Sequence, residues 1–193
     1  CEVLSANFAN YGLEITPIEC RDKLGAGKMS AIGDAAQKLG ASLPDNWLDE
    51  IYHEIFSRLK QGVLLIEGIE DLLKNIKTKQ IKMCVASNGS LAKMELMLGK
   101  SGLLEHFDGH VYSAHEVCIW KPDAGLFLHA ADKMGVDPSD CIVIEDSSTG
   151  ALAAQRAGME CLGYAADTPA EKLDAHGATT FTSMHKIPQL IGL

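Results

Sequence analysis

The sequence predicts an α/β protein in which an all-helical region precedes a parallel sheet. After Gly62, helical stretches alternate with short apolar blocks, which is typical of a parallel sheet with helical crossovers. Before Gly62, only helical periodicity occurs. We therefore expect two domains, at residues 1–65 and 66–193, with the boundary near residues 62–68.

Composition narrows the classes of function. A net charge of -9 over 193 residues argues against nucleic acid as the main partner, because phosphate backbones are bound by clustered lysine and arginine. No apolar run approaches the roughly 18 residues of a membrane span. The six cysteines are scattered without a C-x-x-C pair, which favours reduced thiols in the cytoplasm. Nothing in the composition indicates the oligomeric state.

The helical region contains clear start and stop signals. A first helix is expected within residues 1–13, ended by a glycine. Thr16 and Glu19 form a capping box around a proline at the first helical position, which predicts a helix start. Further helices are expected at residues 29–39 and from about 45 to 61.

The α/β region is predicted from its alternating pattern. In chain order, we expect a helix at 69–77, a strand at 81–86, a helix at 91–99, a strand at 111–113, a helix at 123–134, a strand at 141–144, a helix up to 158, strands at 161–164 and 179–181, and a final helix at 186–191.

Two adjacent carboxylates, Glu145 and Asp146, follow the apolar block 141–144, which we expect to be a strand buried on both faces. Open α/β sheets bind ligands at the carboxyl ends of their strands. Adjacent carboxylates repel each other unless a cation or protons intervene, so the pair favours a Mg²⁺ site. The alternative is an acidic turn whose following serine, Ser147 or Ser148, caps the next helix.

Ser87, Asn88 and Lys121 lie at comparable positions. Ser87 and Asn88 follow a predicted strand and precede a helix, where hydroxyl, amide and backbone N–H groups suit phosphate oxygens. The alternative is a simple helix cap. Lys121 stands before a proline, outside any helix, so its ammonium group can extend into a site. The alternative for Lys121 is a solvated surface lysine.

Two other patterns do not indicate sites. The segment from Gly25 to Lys28 resembles a nucleotide-binding loop, but Met29 replaces the required serine or threonine and no strand precedes it. His106 and His110 have the spacing of zinc ligands, yet no further ligand set accompanies them.

The segments Val85-Ala-Ser-Asn-Gly89, Trp120-Lys-Pro-Asp123 and Val143-Ile-Glu-Asp-Ser-Ser-Thr-Gly150, followed by Ala157-Gly-Met159, resemble the second, third and fourth motifs of the haloacid dehalogenase superfamily of phosphohydrolases. The resemblance covers about residues 63–185. It is greatest to the subgroup with a helical cap that includes β-phosphoglucomutase and many sugar-phosphate phosphatases.

This resemblance implies a Rossmann-like core with a small helical cap domain before it. It implies a Mg²⁺-dependent phosphatase that acts on a small phosphorylated metabolite, a sugar or sugar-acid phosphate, with 6-phosphogluconate as the specific candidate. A phosphosugar mutase and a non-catalytic remnant remain alternatives. The implied roles are catalysis by Ser87 and Lys121, substrate binding by Asn88, Gly89 and Lys28, and metal binding by Glu145 and Asp146.

One family feature has no counterpart in the sequence. The resemblance implies an aspartate nucleophile in a D-x-D motif on a central strand, and no D-x-D occurs in these 193 residues. The start, Cys1-Glu2-Val3-Leu4, is similar to the residues that follow that motif. Without the strand, we expect two unpaired edges and an apolar gap in the sheet. An incomplete record of a longer protein is the preferred explanation. An inactive truncated product and a segment supplied by a partner are the alternatives.

Overall fold

A computed structural model describes residues 1–24 and 28–193, which divide into two compact units at Val63 and Leu64. The first is called here the helical unit. Its described residues form the helices α1 Glu2–Asn10, α2 Pro17–Leu24, α3 Met29–Lys38 and α4 Trp47–Lys60.

The predicted capping box begins α2. The Thr16 backbone N–H donates to Glu19 Oε2 at 3.1 Å, and the Glu19 N–H donates to Thr16 Oγ1 at 3.2 Å. In the core of the helical unit, the rings of Phe8 and Trp47 stack with centroids 5.5 Å apart. The indole N–H of Trp47 donates to buried Asn7 at 2.7 Å, so the one polar group of this aromatic pair is satisfied.

The second unit, called here the sheet unit, alternates helices and strands as predicted. Its elements are α5 Ile69–Thr78, β1 Val85–Ser87, α6 Leu91–Lys100, β2 Val111–Ser113, α7 Ala114–Val117, α8 Gly125–Met134, β3 Ile142–Glu145, α9 Ser148–Ala157, β4 Glu160–Tyr164, α10 Ala170–Asp174, β5 Thr179–Phe181 and α11 Ile187–Leu190. The short helices α7 and α10 were not predicted.

The strands form two parallel sheets, one of β1 and β2 and one in the order β3, β4, β5. Ser87 aligns with Ser113 in the first sheet, and Glu145 aligns with Gly163 in the second. Within the described residues, β1 has no strand partner on its other side, and neither does β3. These are the two edges that the sequence predicted to be unpaired.

Two strand predictions were wrong in detail. The strand expected at residues 81–86 begins only at Val85, because pairing with β2 is confined to three residues. The strand β3 was expected to be buried on both faces, but Ile142 and Ile144 are 42% and 41% exposed. Both side chains belong to a strand with an unpaired edge, and the described chain covers them only in part.

The largest core of the sheet unit lies where α8 and α9 pack together. Ala151, Ala153 and Ala154 of α9 are fully buried, and Phe127 of α8 packs in the same cluster. Small residues on α9 let this helix lie close to the sheet, which fixes the strand ends that α9 follows. Among the described residues, no helix is long and apolar enough to cross a membrane.

Candidate active site

The candidate site lies at the carboxyl ends of β1, β2 and β3 in the sheet unit. Ser87 and Ser113 end the first two strands, and Glu145 ends the third. Lys121 lies in the segment that connects α7 to α8. The structure brings three of the predicted residues, Asn88, Lys121 and Glu145, into direct contact.

Lys121 connects the two sheets. Its ammonium group donates to the carboxylate of Glu145, at the end of β3, and lies 3.5 Å from the carbonyl oxygen of Ala86 in β1. The side chains of Lys121 and Glu145 are only 10% and 8% exposed. The ammonium also lies 5.2 Å from the ring centroid of Phe127. Lys121 is thus a buried, paired cation, and the solvated-lysine alternative is wrong.

The carboxylate of Glu145 is held on its other side by the start of α9. Its Oε2 accepts from the Ser147 hydroxyl at 2.8 Å and from the Ser147 backbone N–H at 3.3 Å. A Cβ atom at Gly150 would overlap this carboxylate, so only glycine leaves room for it. The alternative, a turn whose serine caps the next helix, is also correct in part. The Ser147 hydroxyl oxygen caps α9 by accepting from the Gly150 N–H at 3.0 Å.

Asn88 fixes the backbone of Lys121. The Lys121 N–H donates to Asn88 Oδ1 at 2.9 Å, and Asn88 Nδ2 donates to the Lys121 carbonyl oxygen at 3.2 Å. This pair of bonds ties the end of β1 to the segment that carries the ammonium group. Asn88 is not the cap of the following helix, because Ser90 caps α6 by accepting from the Lys93 N–H.

Ser87 lies beside Asn88 at the end of β1. Its hydroxyl oxygen accepts from the Gly89 N–H at 3.1 Å, which fixes the turn. Gly89 is also held from β2, because the Ser113 hydroxyl donates to the Gly89 carbonyl oxygen at 2.7 Å. Ser113 is 1% exposed and was not singled out in the sequence. Its position at the end of the strand predicted at residues 111–113 was the available signal.

Lys93, in the first turn of α6, is a second cation near this turn that the sequence did not reveal. A Cβ atom at Gly89 would lie 3.4 Å from Ser87 Oγ and 3.7 Å from Lys93 Cδ, so both side chains flank this glycine. Burial lowers the pKa of the Lys93 amine below its usual value. In the sequence, Lys93 looks like an ordinary helix-surface residue, and only the packing distinguishes it.

Asp146 differs from its neighbour. Asp146 is an exposed residue, whereas Glu145 is buried. The Asp146 backbone carbonyl accepts from the hydroxyl of Thr168 at 2.6 Å, and Thr168 is 7% exposed. The two adjacent carboxylates thus have different surroundings: Glu145 is buried against Lys121, whereas Asp146 is an exposed residue.

These carboxylates fit part of a Mg²⁺ site. Mg²⁺ is usually bound by one or two carboxylates together with water and phosphate oxygens, which suits the exposed carboxylate of Asp146. Both oxygens of Glu145 already accept hydrogen bonds, so Glu145 suits a water-mediated contact better than a direct one. In residues 1–24 and 28–193, no three acidic, histidine or cysteine side chains converge as a complete metal site.

Lys28, the predicted substrate residue of the helical unit, precedes α3 and is exposed. Its role stays a prediction. The glycine turn before it, residues 25–27, lies outside the described residues.

Comparisons with known proteins agree with the predicted motifs. The sequence profile of the haloacid dehalogenase-like hydrolases matches residues 2–158. A 6-phosphogluconate phosphatase of Escherichia coli strain K12 is 32% identical over 185 residues, which cover 95% of this chain and 82% of the relative. The predicted enzyme class, a phosphatase of this superfamily, is confirmed.

Two solved structures are similar over nearly the whole chain. A hydrolase of the same superfamily from Deinococcus radiodurans, solved with bound phosphate and sodium, has a TM-score of 0.79 and 25% identity, covering 99% of this chain and 86% of that one. A β-phosphoglucomutase from Clostridium difficile has a TM-score of 0.80 and 23% identity, covering 98% and 86%. The latter likeness shows the fold. The chain belongs to the haloacid dehalogenase-like hydrolases.

Proposed function

We propose that the protein hydrolyses a small phosphorylated metabolite, a sugar or sugar-acid phosphate, at the carboxyl ends of β1 and β3. The observation that carries this proposal is the buried ammonium group of Lys121, held between the Ala86 carbonyl oxygen and the Glu145 carboxylate. A fixed cation stabilises the charge of a phosphoryl group without having to reorganise during the reaction.

The other residues of the site have supporting roles. Ser87 presents a hydroxyl whose oxygen accepts from Gly89, which leaves its proton for a phosphoryl oxygen. Asn88 keeps the lysine backbone in place through its two hydrogen bonds. Substrate contacts by Asn88 and Gly89 remain part of the proposal. Lys93 is a second lysine beside this turn, since its Cδ lies 3.7 Å from the position of a Cβ atom at Gly89.

Mg²⁺ is the proposed cofactor, held by Asp146 directly and by Glu145 through water. When bound, it would neutralise charge on the phosphate oxygens, as divalent cations do in other phosphoryl-transfer sites. Glu145 would then have two tasks, since it also fixes the ammonium group of Lys121.

The acceptor aspartate implied by the family resemblance is not among these 193 residues. We propose that it belongs to an extended segment that fits between β1 and β3, whose facing edges have no strand partner in the described chain. The exposed Ile142 and Ile144 of β3 give such a segment an apolar surface to pack against.

The proposed substrate is a sugar-acid phosphate such as 6-phosphogluconate, the substrate in the name of the E. coli relative. Lys28 of the helical unit, the proposed cap, would contact the end of the substrate remote from the phosphate. The cysteines of the described residues are scattered and form no disulfide with one another, which suits the reducing cytoplasm, the proposed location.

The test is release of inorganic phosphate by the natural full-length protein with Mg²⁺, from a panel of sugar phosphates, sugar-acid phosphates and an aryl phosphate. We expect Lys121→Met to lower kcat by about 10²-fold or more, as loss of one fixed charge-stabilising donor does elsewhere. Lys100→Met is the matched control, because Lys100 is an exposed lysine at the end of α6.

The product decides between this proposal and the alternatives. Free phosphate supports the phosphatase, whereas an isomerised sugar phosphate would indicate a mutase. Binding of Mg²⁺ or phosphate without turnover of any compound in the panel would show a non-catalytic domain and refute the proposal.

A further inference from the structure

A cavity lies near the amino ends of β1 and β2. It has a volume of about 450 Å³ and is called here the basic cavity. Its charged and imidazole-bearing lining residues are Lys77, Lys82, Lys133, Asp108, His106 and His110. Lys82 and His110 precede β1 and β2, whereas Ser87 and Ser113 end those strands. The basic cavity is therefore distinct from the candidate active site, although both use the same two strands.

The charge of this cavity contrasts with that of the chain. Three lysines and a single aspartate line it, in a protein whose net charge is -9. Asp108 is paired with Lys77 at 3.3 Å, so it neutralises only one of the three. The two remaining ammonium groups, on Lys82 and Lys133, have no carboxylate partner within the described residues. A local positive field in an acidic protein attracts anions.

The lysines retain donors that a ligand could use. Lys82 donates one hydrogen bond, to the carbonyl oxygen of Met134 at 2.7 Å. An ammonium group has three N–H donors, so two of them remain. The ammonium of Lys133 makes neither a hydrogen bond nor an ion pair with any residue that the structure describes.

The histidines add polar groups to the same cavity. His110 Nδ1 lies 3.1 Å from the hydroxyl of Tyr112, which fixes this ring. His106 Nδ1 is shielded from solvent and has no hydrogen-bond partner in the described chain.

We propose that the basic cavity binds a small multiply charged anion, an organic phosphate or a polycarboxylate. Its volume falls within the range of small-molecule sites. Lys82 and Lys133 would supply the charge-assisted hydrogen bonds, and His106 and His110 would contact the same ligand. The site takes no part in the proposed hydrolysis, so its occupancy can be measured without turnover.

The experiment titrates the full chain with inorganic phosphate and with citrate at constant ionic strength. Calorimetry gives the affinity, and NMR of the histidine side chains gives the location. We expect Lys82→Gln combined with Lys133→Gln to weaken binding about tenfold or more, because each removes a charge-assisted hydrogen bond. Lys74→Gln combined with Lys79→Gln is the control, since it changes the net charge equally at exposed lysines that do not line the cavity.

The signals of His106 and His110 should shift on binding in the parent and in the control. Binding of phosphate alone assigns an organic phosphate as the ligand class, and binding of citrate alone assigns a polycarboxylate. Equal weakening in both double variants would overturn the proposal, because it would show a response to net charge only. So would binding that leaves both histidine signals unmoved, or no binding of either probe.

Discussion

Replacing Lys121 with methionine should lower the free energy of unfolding substantially. This effect can be measured without an activity assay. Methionine keeps the apolar stem but leaves the Glu145 carboxylate, 8% exposed, without its cation. Removing one partner of a buried pair costs about 3–5 kcal/mol, because the remaining charge is uncompensated. Ser147 still donates two hydrogen bonds to this carboxylate, which favours the lower end of that range.

The assay is urea unfolding followed by circular dichroism, with the slope compared between variants. Lys121→Met should lower the free energy of unfolding by about 3 kcal/mol. Glu145→Gln should do so by a similar amount, because it leaves the buried ammonium unpaired. The double variant should lose less than the sum of the two, with a coupling of about 2 kcal/mol. Exposed Lys100→Met should change stability by less than about 0.5 kcal/mol.

Additive effects in this cycle, or a loss within 0.5 kcal/mol for Lys121→Met, would refute the reasoning. Either result would mean that the ammonium group and the carboxylate are hydrated and independent in solution, in disagreement with their burial.

Two further predictions concern a glycine and the thiols. In urea unfolding, Gly150→Ala should lower the free energy of unfolding by about 3 kcal/mol, because the added Cβ overlaps a buried carboxylate. The control is Gly99→Ala, whose added Cβ would meet no atom within 4 Å and should raise the free energy of unfolding by up to about 1 kcal/mol. Equal effects would contradict this account. Burial raises the pKa of Cys84 to about 11, so its thiolate fraction near pH 8 is about 0.1% and rises with pH towards that value. Iodoacetamide at pH 8, followed by mass spectrometry, should therefore modify exposed Cys118 well before half-buried Cys84, and early labelling of Cys84 would show that its thiol is not shielded.

The order of helices and strands was predictable because it rests on local signals. The capping box at Thr16 and Glu19 uses residues three positions apart, so the sequence contains the whole interaction. The strand expected at 81–86 was too long because an apolar run does not show how many residues pair. The length of β1 is set by its pairing with β2, and β2 lies more than 20 residues later in the sequence.

The candidate site was predictable in part. Polar residues at the ends of predicted strands indicated Ser87 and Glu145, and the position before a proline indicated Lys121. The difference between Glu145 and Asp146 was not predictable, since adjacent carboxylates look alike until the fold buries one of them against Lys121. Lys93 was missed because the burial that lowers its pKa comes from the fold and leaves no local pattern in the sequence.

The two hydrogen bonds between Asn88 and the Lys121 backbone have a consequence for how such motifs are interpreted. Aspartate at this position would keep the acceptor and lose the donor, and alanine would lose both. Asparagine is thus required by the architecture of the site, whatever molecule is processed there. A Ser-Asn pair in this position therefore indicates where the lysine stands. Residues free of such structural duties are where divergence between enzymes of different preference should be sought.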